Sequence, residues 1–160
     1  MDTAKLQNLL LTFEGRIGPM SLMQGTVVIF AVNFILQILS MVISFIGLLA
    51  IVLLYPMFCI YAKRFHDGGK PAVWTLAVLG GMIVANIVIG GLIATMFISS
   101  AVTTGGVGGA TLGMVIMGII SAAIVQFGAA FIVNQFVKGD PAPNAYGEPP
   151  VDATSMNPLS

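Results

Sequence analysis

Residues 17–62 carry no charged side chain, and neither do residues 71–137. Between them stands KRFHDGGK, residues 63–70, with five ionisable groups in eight positions. This segregation constrains the fold more than any other feature of the chain. A soluble domain has about a quarter of its residues charged; here the figure is 8 %, against 58 % hydrophobic. So few charges cannot cover a surface facing water. Most of the surface needs an apolar solvent, and a lipid bilayer is one.

Each uncharged run is too long for one crossing, because a helix spans a bilayer in roughly 20 residues at about 1.5 Å each. The first run divides into helices over residues 20–39 and 44–62, with a tight turn at residues 40–43. Pro56 is predicted to kink the second of these. The other run divides into helices over residues 73–99 and 110–137, joined by TTGGVGGA, residues 103–110. Residues 2–13 read as a short amphipathic helix before the first span. Leu6, Leu9, Leu10 and Phe13 share a face, Asp2 or Thr3 caps the start, and Gly15 ends it. Such a helix suits the membrane interface. The expected fold is therefore all-α. An interfacial segment (1–16) precedes a domain of four transmembrane helices (17–138), and a Pro-rich tail (139–160) follows. The tail lacks the apolar residues to build a core and is expected to be extended or disordered past residue 150. The apolar run starting at Met20 exceeds the core of a cleavable signal peptide, about 7–15 residues.

Four spans place both termini and the 63–70 loop on one side. All six basic residues, Lys5, Arg16, Lys63, Arg64, Lys70 and Lys138, fall on that side. Lys and Arg in short loops are retained in the cytoplasm, so the expected location is a cytoplasmic membrane with both ends inside. Three spans would strand Lys138 and the tail outside. Basic residues at this surface attract anionic phospholipid. Nucleic acid is excluded as a partner, since no soluble module carries a basic stripe.

Several chemistries are excluded or disfavoured. The lone Cys59 forbids an internal disulfide and a Cys-rich metal site, and it reads as a buried or lipid-facing apolar residue. One histidine cannot build a multi-histidine metal centre. The glycines at 103–110 lack the Lys-Ser/Thr of a Walker loop and the strand of a dinucleotide site. No cofactor is called for. His66 and Asp67 lack the remainder of a catalytic constellation; they read as partners of Arg64 and of nearby backbone at a helix end, which Gly68 and Gly69 terminate. An enzyme acting through His66 and Asp67 is the minor alternative.

Asn33, Asn86 and Gln126 fall near the centres of their spans. Lipid satisfies no amide, so each is expected to bond to a neighbouring helix. The alternative is a polar path for a small solute through a transporter or channel. No acidic or basic residue lies in any span, whereas coupled carriers commonly place one there. Pairs of small residues four apart, such as Gly81 with Ala85 and Gly118 with Ala122, favour close packing, within one chain, in a homo-oligomer or in a larger membrane complex.

Three motifs follow one another: FEGRI at 13–17, KRFHDGGKPAVW at 63–74 and GDPAPNAYGEPP at 139–150. Together they resemble the bacterial inner-membrane family catalogued as domain of unknown function eight hundred and five. Its members look like F-x-G-R-I, then R-x-H-D with a downstream Trp, then P-N-x-Y-G. The resemblance spans nearly the whole chain and falls on Gly15, Arg16, Arg64, His66, Asp67, Trp74, Pro143, Asn144, Tyr146 and Gly147. It implies a bacterial inner-membrane location but no activity. The orientation puts all three motifs on one side. They are expected to meet in a polar cap, with Asp67 paired to Arg16 or Arg64 and residues 144–147 folded over them.

Overall fold

A backbone in lipid must satisfy its own hydrogen bonds, and in the uncharged runs it does so as helix. In a computed structural model, which describes residues 3–104 and 107–150, the order is α1 (Thr3–Leu11), α2 (Pro19–Ser40), a 3-10 helix (Ser44–Leu53) running into α3 (Leu54–Asp67), α4 (Val73–Thr104) and α5 (Val107–Phe136). Pro19 occupies the first turn of α2, where a missing N–H matters least. The described residues form no strand; a single bridge joins Asn144 and Gly147.

Among the described residues four helical stretches are long and apolar enough to cross a membrane: Pro19–Ser40, Phe45–Asp67, Val73–Ser99 and Leu112–Phe136. The fold is that of an all-α polytopic membrane protein. Helix α2 packs on α3, α3 on α4, α4 on α5, and α5 back on α2. The four thus close a ring. α1 docks outside it on α3. Gly25 makes that junction possible: a Cβ there would stand 3.0 Å from Ile60 and 3.5 Å from Leu9.

Several elements depart from expectation in informative ways. The second crossing starts as a 3-10 helix, and Pro56 sits in the first turn of α3. Its missing N–H falls where the helix type changes, not inside a continuous α-helix. α3 also runs on to Asp67, so five of the knot's eight residues are helical. A Schellman closure stops it: Gly69 N–H donates to His66 O (3.0 Å), and Lys70 N–H donates to Phe65 O (2.9 Å). Gly69 supplies the left-handed conformation this closure needs, with φ +66°. α4 and α5 both extend into the glycine-rich stretch, because each helical turn there keeps backbone groups paired. α1 ends at Leu11, ahead of Gly15. Asp2, the middle of the 103–110 turn and the tail past residue 150 lie outside the described residues.

Candidate functional site

The last turn of α3 carries four ionisable side chains, and all are buried: Lys63, Arg64, His66 and Asp67. Successive helical residues diverge by about 100°, so each reaches a different neighbour. Lys63 faces α1, where Nζ donates to the Asn8 carbonyl and to Asn8 Oδ1 (3.2 Å). Arg64 faces α5. Its Nε donates to Asn134 Oδ1 (2.8 Å) and its Nη2 to the Val137 carbonyl. Each cation therefore meets carbonyls at a helix C-terminus, the negative end of the helix dipole.

Asp67 is the centre of the cap. Its Oδ1 accepts from Arg16 Nε (3.2 Å) and Nη2 (3.0 Å), and its Oδ2 accepts from Arg64 Nη1. One carboxylate thus stands between two guanidinium groups. Arg16 turns its remaining donors to the tail, namely the carbonyls of Ala142 (2.8 Å), Gly147 (3.2 Å) and Asp140. The Asp140 N–H returns to the Asp67 carbonyl at 2.8 Å. The excess positive charge is spread over backbone carbonyls, and its acceptors come from three separate parts of the chain.

The tail closes over His66. Asn144 Nδ2 donates to the His66 carbonyl (3.0 Å), and Asn144 Oδ1 accepts from Tyr146 N–H (2.9 Å). Asn144 and Gly147 exchange backbone hydrogen bonds of 3.1 Å each, and Gly147 has φ +122°. This hairpin lays the Tyr146 ring on the His66 ring, centroids 3.9 Å apart and planes 2° from parallel. His66 Nδ1 lies 3.2 Å from the Gly15 carbonyl. A carbonyl only accepts, so Nδ1 carries a proton. Gly15 takes φ +90° to present that oxygen. A cavity of about 400 Å³ opens beside the stacked rings, against Phe13, Glu14 and Ala72.

The structure therefore brings Arg16, Arg64, His66, Asp67, Asn144, Tyr146 and Gly147 together at one end of the bundle. Sequence reasoning missed Asn8, Asn134 and Gly139, and it gave Gly68 only a helix-ending role. A Cβ on Gly139 would meet Asp67 Oδ2 at 2.5 Å, and one on Gly68 would meet Val137 at 2.6 Å. Their signal was position: Asn134 and Gly139 flank the end of the last apolar run, beside the motif that follows. His66 and Asp67, adjacent in sequence, turn to different partners. Among the described residues no three His, Cys, Asp or Glu side chains are grouped to hold a metal.

The membrane amides behave differently from expectation. Asn33 Oδ1 accepts from Gln37 Nε2 (2.7 Å), and Asn86 Nδ2 donates to the Met82 carbonyl (2.8 Å). These bonds run along their own helices, where a partner four residues away is always within reach. Gln126 is buried with its Oε1 unpartnered. All three residues line one cavity.

Comparisons with family models, with curated proteins and with solved structures find no match to this chain.

Proposed function

We propose that this chain is a small bacterial inner-membrane protein with a structural or accessory role, whose cytoplasmic cap binds a partner or anionic lipid. The three ordered motifs support membership in the family they resemble, and the basic residues at one end support the orientation with both termini inside.

One observation carries the reading. The side chains of Arg16, Arg64 and Lys63 donate hydrogen bonds to acceptors of the chain itself. These cations build the cap rather than await a ligand. Lys5, Lys70 and Lys138 are exposed instead, and they form the outward face. Each contributes roughly 1 kcal/mol toward an anionic membrane surface. In this reading His66 and Asp67 are framework groups, not a catalytic pair.

The test is purification in mild detergent with analysis of what accompanies the chain. A specific protein or anionic phospholipid is expected to co-purify. Replacing all three exposed lysines with Gln is expected to deplete it several-fold without unfolding the bundle. A chain that always purifies alone, free of specific lipid, overturns the proposal.

A further inference from the structure

The ring of helices encloses a second feature, remote from the cap. A cavity of about 360 Å³ is lined by residues from all four membrane-crossing stretches, with Asn33 on α2, Met57 on α3, Asn86 on α4, and Ala122 and Gln126 on α5. Counting at about 1.5 Å per residue from the cap end of each helix puts these groups about 15–21 Å deep, near the middle of a hydrocarbon core about 30 Å thick. None of the described residues in the lining is charged.

The polar groups there are not simply packing contacts. Gln126 is 6 % exposed, and its Oε1 has no hydrogen-bond partner. Among the described residues only Thr75 Oγ1 shares that condition, and Thr75 does not line the cavity. A buried acceptor without a donor costs about 1–3 kcal/mol, and lipid supplies no donor. Asn33 and Asn86 take partners on their own helices and still border the same space. Three carboxamides facing a mainly apolar volume match small-molecule sites in general: an apolar enclosure with a few polar groups that fix orientation.

We propose that this cavity binds a small uncharged molecule that is mostly apolar and carries a hydroxyl or amide N–H, donated to the side-chain amide of Gln126. Charge is excluded by the lack of any counter-ion in the lining. A group that only accepts leaves the unpartnered oxygen unsatisfied. Asn86 lines the cavity and is nonetheless exposed, so the cavity opens to the outside between the helices at membrane depth, and its ligand arrives from the bilayer. The site lies apart from the cap and does not depend on the role proposed for it.

The probe is 1-naphthol, whose hydroxyl donates, with naphthalene as the control that cannot. The full chain is placed in phosphatidylcholine nanodiscs, and uptake is measured against empty discs. Saturable naphthol binding at one molecule per chain is expected. Gln126→Leu is expected to weaken it about tenfold, the equivalent of about 1.4 kcal/mol, while leaving naphthalene uptake unchanged. Ala122→Phe is expected to abolish saturable binding by filling the space. Uptake equal to that of empty discs overturns the proposal, as does an affinity that Gln126→Leu leaves within twofold. Should Gln126→Leu fail to fold, Ala122→Phe decides the matter: saturable binding that survives it overturns the site.

Discussion

Asp67 is held between two arginines, and that fixes what its loss must do. Its side chain is 3 % exposed, beside Arg16 and Arg64 at 1 % and 2 %. Removing one charge from a buried network leaves the partners desolvated and uncompensated, at about 3–5 kcal/mol. Asp67→Asn is therefore expected to lower unfolding stability by that amount in mixed micelles. It is also expected to expose residues 139–150 to limited proteolysis, because Arg16 then loses the anchor that aims it at Ala142 and Gly147. Unchanged stability with an intact tail would show that Asp67 is not the hub. At this scale the sequence was partly legible. Charge stranded between apolar runs favours pairing, so Asp67 was expected to meet Arg16 or Arg64; it meets both. The two lysines of the knot were not separable in advance. Lys63 is buried against Asn8 and Lys70 is exposed, a difference that arises only once α1 docks on α3.

The end of α3 separates two effects that adjacent glycines usually confound. Gly69 has φ +66° and open space where a Cβ would stand. Gly68 has an ordinary φ of −90° and a Cβ position 2.6 Å from Val137 and 3.1 Å from the Lys138 carbonyl. Gly69→Ala is thus expected to cost about 1 kcal/mol, all of it local backbone strain. Gly68→Ala is expected to cost more, about 1–3 kcal/mol, by pushing the end of α5 away. Only the second should also make the tail a better protease substrate. Equal effects on the tail would refute this division. Element existence was readable from the apolar runs, because lipid leaves the backbone no alternative to helix. Helix type was not. Residues 45–53 are apolar throughout, and neither hydrophobicity nor period distinguishes a 3-10 from an α-helix there. The amide partners were unreadable for a related reason: a side chain inside a span chooses between its own helix and the next, and that choice depends on how closely the helices approach.

The whole molecule is a closed ring of four crossings with its charge gathered at one end. Arg16, Asp67 and Asp140 come from the first, middle and last thirds of the chain and meet there; the turn at residues 41–43 lies at the other end, with Val42 85 % exposed. Two statements can be tested separately. The bundle requires Lys5 and Lys138 to share a side, opposite Val42. The distribution of basic residues adds that this side is the cytoplasm. Single cysteines at positions 5, 138 and 42 can be probed with an impermeant maleimide from either side of the membrane, and the native Cys59, with 0 % exposure, contributes little background. Labelling of Lys5→Cys and Lys138→Cys is expected only in inside-out vesicles, and of Val42→Cys only in right-side-out ones. The reverse pattern would preserve the bundle and invert the assignment of sides. Opposite labelling of positions 5 and 138 would be graver. It would separate the carbonyls of residues 140–147 from Arg16 by the thickness of a bilayer, and the cap could not exist.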